Sequence, residues 1–133
     1  MVDVESIEPG TQHTYTRTFT RDDVERFAEL SRDDGYHHLV ADEDGTVLVH
    51  GLLTATLPTK LGGDLDYVAR TMAFEFPRPV FTGQTVTCVG TVQSYDERED
   101  RYALEFSFEC TTADGTVVLR GESEGVVFKD RPM

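Results

Sequence analysis

Long apolar runs are missing from this chain of 133 residues, and so is a basic, apolar leader at its start. A helix that crosses a bilayer needs roughly 18 consecutive apolar residues, and no stretch of this sequence approaches that length. The first ten residues, MVDVESIEPG, lack both the basic start and the apolar stretch of a signal peptide. These absences argue against a membrane or secreted protein and predict a cytoplasmic location.

Cysteine is scarce and basic residues are few. Cys88 and Cys110 have no CxxC spacing and no ligand cluster nearby, so we expect buried free thiols. The chain has 12 Lys and Arg against 25 Asp and Glu, which gives a net charge of −13. A surface this negative repels nucleic acid and anionic lipid, so neither is an expected partner. The acids are spread along the chain, a pattern that resembles proteins of salt-loving microbes.

The rest of the composition is that of a folded domain. Hydrophobic residues make up 38% and aromatic residues 10% of the chain, enough for a packed core. The sequence contains no repeats, low-complexity tracts or linkers. We therefore expect a single domain over residues 1–133.

The first third of the chain predicts one strand and one helix. The weak alternation in HTYTRTF indicates a strand, and TRDDVERFAELS then reads as an amphipathic helix. Thr20 is a plausible N-cap with Asp23 three residues later, close to a capping box. Residues 32–46 are predicted to be a loop, with Gly35 and Gly45 as breakers.

A second helix is predicted from about Gly51 to Leu61, closed by Gly62 and Gly63. It is apolar nearly all round, which is typical of a buried helix wrapped by a sheet. Pro58 inside it predicts a kink or a change of direction.

The second half of the chain reads as four strands separated by turns. The segment RYALEFSFECTT alternates with a period of two, and the turns FTGQ, DERED and ADG separate it from its neighbours. The predicted order is one strand, two helices and a four-stranded antiparallel meander. This is an α+β plan in which an antiparallel sheet wraps around a central apolar helix.

Three of the four histidines lie in the stretch ELSRDDGYHHLVADEDGTVLVHGLL, residues 29–53. Asp33 precedes His38 by five residues, and His50 stands directly before Gly51. Two interpretations are open: a catalytic carboxylate–imidazole pair, or an acidic surface loop that contains histidines. His37 is a rival for the imidazole role, while Asp34 is expected to be solvated.

These segments resemble one branch of the hot-dog fold, the MaoC-like (R)-specific enoyl-CoA hydratases and dehydratases. SRDDGYHH occupies the place of the family's Ser-Gly-Asp-x-Asn-Pro-x-His loop, VHGLL that of its His-Gly helix start, and RPVFTGQTV that of its Pro-Val-x-x-Gly-Asp-x-Val turn. The resemblance covers nearly the whole chain. The Asn-Pro pair of the family loop is absent here, and the loop from His38 to His50 is shorter than is usual in the family.

The resemblance implies a site and a reaction. It assigns Asp33 and His38 as the catalytic pair, Gly51 as the backbone donor to the thioester oxygen, and His50 and Thr59 as further site residues. The reaction would interconvert a trans-2-enoyl thioester and a (3R)-hydroxyacyl thioester in fatty acid metabolism, without metal or organic cofactor. The substrate would be an acyl-CoA or acyl-carrier-protein thioester, and the assembly a homodimer or a dimer of dimers.

Two other functions fit the same segments. A hot-dog acyl-CoA thioesterase also uses a carboxylate at the central helix, and RPVFTGQTV is compatible with one. A non-catalytic acyl-CoA-binding module is the third interpretation, and the absence of the Asn-Pro pair suggests it.

The charge of −13 predicts a dependence of stability on salt. Repulsion among the acids weakens the fold at low ionic strength, and added salt screens that repulsion. Thermal melts from low to molar KCl should therefore show a rising melting temperature. A melting temperature that stays flat or falls over this range would remove the halophile hypothesis.

Overall fold

The computed structural model describes residues 3–130 and begins with a short 3₁₀ helix at Val4–Ile7. Its α-helices are α1 (Arg21–Ser31), α2 (Tyr36–Leu39), α3 (Gly51–Thr54) and α4 (Thr56–Asp64). Its strands are β1 (Gln12–Thr18), β2 (Tyr67–Glu75), β3 (Thr85–Glu97), β4 (Arg101–Thr112) and β5 (Val117–Phe128).

All five strands form one antiparallel sheet in the order β1-β3-β4-β5-β2. Helix α4 packs on one face of this sheet, where it contacts β1, β2 and β3. The period of two in β4 places one set of side chains on that face, and all of them are buried: Tyr102, Leu104, Phe106, Phe108 and Cys110. The predicted α+β plan, with an antiparallel sheet around a central helix, is confirmed.

The predicted meander holds only for β3, β4 and β5. Strand β2 pairs with β5 at the far edge of the sheet, and β1 takes the place beside β3. The connection after β2 does not form a hairpin. Val49 donates its N–H to the carbonyl of Val80, and Thr82 donates to that of Val47, so this segment pairs with the chain before α3. Pro77 and Pro79, which lack an N–H, also disfavour a continuous ladder there.

The central helix is interrupted and longer than expected. It is broken at Ala55 into α3 and α4, and it runs through Gly62 and Gly63 to Asp64, so the predicted end at the glycines is wrong. Neither glycine has the positive φ that ends a helix in the left-handed conformation. Pro58 lies in the first turn of α4, where its missing N–H removes little helical bonding. Within residues 3–130 no helix is both long and apolar enough to cross a membrane.

The capping box at the start of α1 is confirmed. The Thr20 hydroxyl accepts a hydrogen bond from the Asp23 N–H at 3.1 Å, and the Asp23 carboxylate accepts one from the Thr20 N–H at 2.9 Å. The bond from the Thr20 backbone holds the pKa of Asp23 below its ordinary value. One face of α1 is therefore fixed against the core through Val24 and Ala28.

The thiols of Cys88 and Cys110 are free and buried, as predicted. The two residues are direct partners across β3 and β4. A hydrogen bond with Cys88, together with burial, raises the pKa of the Cys110 thiol. A protonated thiol in an apolar core behaves as a small hydrophobic side chain.

Gly125 lets β2 lie close to β5, and its replacement should weaken the sheet edge. A Cβ at this position would meet the Val68 carbonyl oxygen. Because that atom belongs to the backbone, Gly125→Ala should lower the free energy of unfolding by roughly 3 kcal/mol in urea titrations.

Gly63→Ala is the matched control. A Cβ there has no atom within 4 Å, and helical alanine is favoured over glycine, so stability should rise by up to about 1 kcal/mol. Equal responses of the two variants would contradict the close approach of β2 to β5.

Candidate active site

The loop after α1 holds Asp33 beside the start of α2. Arg32 ends α1 in the left-handed conformation at φ 66°, which is uncommon for a residue other than glycine. Asp33 Oδ1 then accepts a hydrogen bond from the Gly35 N–H at 3.3 Å. The residues predicted to be loop therefore contain one helical turn, α2, which carries His38 into the interior.

His38 and Asp33 form a carboxylate–imidazole pair. His38 Nε2 lies 3.7 Å from Asp33 Oδ2, while His38 Nδ1 lies 2.7 Å from the Leu48 carbonyl oxygen. A carbonyl only accepts hydrogen bonds, so Nδ1 carries the proton and donates it. In the neutral ring, Nε2 then has a free lone pair on the side of Asp33.

The gap between Nε2 and Oδ2 suits one bridging water. At 3.7 Å it is longer than a direct hydrogen bond, yet a water can sit roughly 2.8 Å from both atoms. The His38 side chain is only 6% exposed and that of Asp33 is 57% exposed, so the imidazole is buried while the carboxylate faces solvent. Such a pair can hold a water by both hydrogens and exchange a proton with it.

His50 joins this loop to the first turn of α3. Its Nε2–H donates to the Asp33 carbonyl oxygen at 2.8 Å, and its ring stacks on that of His38 with centroids 3.7 Å apart. The residue is only 2% exposed, and its Nδ1 has no hydrogen-bond partner within residues 3–130. This geometry gives His50 a positioning role, because it fixes the backbone of one member of the pair and the ring of the other.

The same three residues offer ligand atoms within 4.8 Å of one another, but their geometry does not suit a metal ion. An imidazole nitrogen binds a metal at about 2.0–2.1 Å along its lone pair, which lies in the ring plane. The rings of His38 and His50 are inclined by only 14°, so their lone pairs do not converge. Convergence would require one ring to rotate away from the backbone carbonyl that it bonds. The cluster is better suited to proton transfer.

The rival residues His37 and Asp34 are placed differently from the pair. Asp34 is exposed and makes no hydrogen bond or ion pair with any of residues 3–130, as expected for a solvated carboxylate. His37 is also exposed, although its ring contacts that of His38 at 4.2 Å between centroids. The burial and the fixed proton of His38 favour it over His37 for the imidazole role.

Asp42 shapes the short loop that follows α2. Its carboxylate accepts hydrogen bonds from the Thr46 hydroxyl at 2.7 Å and from the N–H groups of Asp44 and Thr46. The bond from the Thr46 side chain is the main reason that the pKa of Asp42 lies below its ordinary value. The closed turn returns the chain to Leu48, whose carbonyl then holds the ring of His38.

A cavity of about 420 Å³ opens beside His38, and its volume is within the usual range of ligand sites. Its lining includes His37, His38, Gly51, Thr54, Phe76 and Arg78. A larger hollow of about 790 Å³ lies along the strands but contains no histidine. The smaller cavity is the candidate substrate site because His38, one member of the carboxylate–imidazole pair, lines it.

Gly51 reaches this cavity and Thr59 does not. Gly51 is exposed, and a Cβ added to it would lie 3.2 Å from the ring of Phe76, so a side chain at this position would crowd that ring. Thr59 is exposed, and its hydroxyl donates to the Ala55 carbonyl at 2.9 Å. Thr54 is instead the threonine that lines the cavity. Its spacing of three from Gly51, which places both on one helix face, is the signal that could have identified it.

No family model matches this chain. The chain is 28% identical over 127 residues to the mitochondrial 3-hydroxyacyl-(acyl-carrier-protein) dehydratase FERN of Solanum lycopersicum, covering 89% of this chain and 76% of that one. It is also similar to the (R)-hydratase of A. caviae involved in PHA biosynthesis, at a TM-score of 0.79 and 28% identity over 91% of this chain and 97% of that one. The chain is thus similar to MaoC-like hydratases and dehydratases and has their hot-dog fold. The MaoC-like dehydratase of Rhodospirillum rubrum shares the fold, at a TM-score of 0.76 and 19% identity over 98% of each chain.

Asp33→Asn should lower hydration of a short enoyl-CoA by roughly 10²–10⁴, the usual effect of losing a positioned acid or base. The amide can keep its oxygen on the Gly35 N–H, so the loop should retain its shape. It cannot accept a proton from the water, and its NH₂ group can occupy the lone pair of His38. The rate is measured by the loss of enoyl absorbance.

Asp34→Asn is the matched control, since it removes the same charge one residue away and breaks no hydrogen bond within residues 3–130. It should change the rate only slightly. Equal losses from both variants would indicate a purely electrostatic effect, and a loss from Asp34→Asn alone would move the site by one residue.

Proposed function

We propose that this protein is an (R)-specific enoyl-CoA hydratase or dehydratase, which interconverts trans-2-enoyl and (3R)-hydroxyacyl thioesters. The observation that carries the proposal is the Asp33–His38 pair, with its 3.7 Å gap between Oδ2 and Nε2, together with the cavity that His38 and Gly51 line. The sequence and structural similarity to a dehydratase and an (R)-hydratase supports the same reaction. We also propose a cytoplasmic location and, on the charge of −13, adaptation to high salt.

Hydration begins with one water held between Asp33 and His38. The carboxylate accepts one hydrogen of the water and Nε2 of His38 accepts the other, which directs an oxygen lone pair at the β-carbon of the substrate. As the new C–O bond forms, Asp33 takes a proton from the water. The protonated carboxyl then delivers that proton to the α-carbon, so both parts of the water add from one face. Dehydration is the same sequence in reverse.

Negative charge develops on the thioester oxygen when the β-carbon is attacked. The N–H of Gly51, the first residue of α3, has no acceptor among residues 3–130 and is the proposed donor to this enolate. Because α3 is a single turn, the N–H group itself matters more than a helix dipole. The absence of a side chain lets the thioester approach this backbone closely.

A second copy of the chain is the proposed protein partner. Strand β2 is an edge of the sheet and has exposed apolar side chains at Val68 and Met72, with Phe76 just beyond its end. An exposed edge with apolar side chains is a surface that pairing with another chain would cover. We propose a homodimer, or a dimer of dimers, that binds acyl-CoA or acyl-carrier-protein thioesters.

A paired assay on crotonyl-CoA tests the reaction. We expect enoyl absorbance to fall without release of thiol, because water adds to the double bond and the thioester stays intact. Thiol release would point to a thioesterase, and binding without either signal would point to a non-catalytic module.

The proposed dimer should have a mass in solution of about twice 14.9 kDa by light scattering, and a mass equal to one chain would contradict it.

A further inference from the structure

Thr54 carries a buried hydroxyl with a poor internal hydrogen bond. The residue is 2% exposed, and its hydroxyl lies 3.4 Å from the His50 carbonyl oxygen. That carbonyl already accepts the N–H groups of Leu53 and Thr54, each at 3.0 Å. The hydroxyl is therefore a third and distant donor to one oxygen. If it turned toward another acceptor, it would give up only a weak hydrogen bond.

Two neighbouring threonines make shorter internal hydrogen bonds, so the long bond of Thr54 is unusual for this segment. Helical threonine commonly bonds a carbonyl in the preceding turn. Thr56 does so at 2.5 Å to Leu53, and Thr59 at 2.9 Å to Ala55. Neither of these two lines the cavity, whereas Thr54 does. The threonine with the weakest internal bond is thus the one that reaches the candidate site.

The direction of the Thr54 side chain places its hydroxyl close to the start of α3. Side chains of a helix lean toward its N-terminus, and residues three apart share one face. The approach of the hydroxyl to the His50 carbonyl shows this lean directly. The hydroxyl therefore lies on the face of Gly51, the residue that is proposed to donate to the thioester oxygen.

We propose that Thr54 is a second oxyanion donor, whose hydroxyl hydrogen-bonds the thioester oxygen together with the Gly51 N–H. This inference rests on the proposed function. The hydroxyl exchanges a long bond to a neutral carbonyl for a bond to a developing enolate, and bonds to charged acceptors are shorter and stronger. Since that charge forms only as the β-carbon is attacked, the interaction acts mainly on the transition state.

Thr54→Val tests the role, because valine has nearly the shape of threonine without its hydroxyl. We expect kcat for crotonyl-CoA hydration to fall about 10²-fold while KM changes by less than about threefold, the pattern of an interaction made in the transition state. Thr54→Ser, which restores the hydroxyl, should recover kcat to within about tenfold of the wild-type value. The melting temperature should change little, since the His50 carbonyl keeps both of its N–H donors.

Thr56→Val is the matched control, as it removes a hydroxyl from the same helical segment but outside the cavity. It should leave kcat near the wild-type value. A fall of less than about tenfold in Thr54→Val, or an equal fall in Thr56→Val, would overturn the role of Thr54. If Thr54→Val does not fold, Thr54→Ala takes its place under the same criteria.

The wild-type rate separates failure of this inference from failure of the proposed function. A wild-type protein that hydrates crotonyl-CoA, with a Thr54→Val variant equally active, would leave the function standing and remove only the second donor. A wild-type protein without hydration activity would remove both.

Discussion

The hydrogen bond from His50 Nε2 to the Asp33 carbonyl is the contact on which the candidate site depends. It joins two segments that are 17 residues apart, the loop after α1 and the first turn of α3. The stacking of His50 on His38 adds the third segment, α2. One buried imidazole, that of His50, therefore sets the positions of the Asp33 carboxylate, the His38 imidazole and the start of α3 relative to one another.

A backbone carbonyl fixes the proton of each of these two imidazoles. Leu48 accepts from His38, and Asp33 accepts from His50. These bonds leave His38 with its lone pair on the side of the carboxylate, which is what proton exchange with a water requires. They also keep the two rings nearly parallel, an arrangement that does not suit chelation of a metal ion. The same contacts thus favour proton exchange with a water and disfavour binding of a metal ion.

The acidic surface has little part in this arrangement. The ion pairs within residues 3–130 involve mostly exposed side chains, such as Lys60 with Asp64 and Arg98 with Asp96, and pairs of this kind add little to stability. The core and the site depend instead on burial and on bonds to backbone groups. A surface with a large net charge can therefore surround a site whose geometry is fixed from inside.

Local sequence determined most elements of this fold and selected most of the candidate site residues. The capping box of Thr20 and Asp23 specifies the start of α1, and the alternation in β4 specifies its buried face, because both signals lie within a few residues. The motif spacing, read through the family resemblance, selected Asp33, His38, His50 and Gly51.

Only the tertiary structure decided how these elements meet. Strand β2 pairs with β5, and the connection after it pairs with residues 47–49; both are long-range pairings that no local pattern encodes. The burial that distinguishes His38 from His37, and the exposure that separates Thr59 from Thr54, likewise arise from packing between segments distant in the chain. Periodicity and capping act over single turns and strands, whereas the shape of a cavity depends on which surfaces the whole chain brings together.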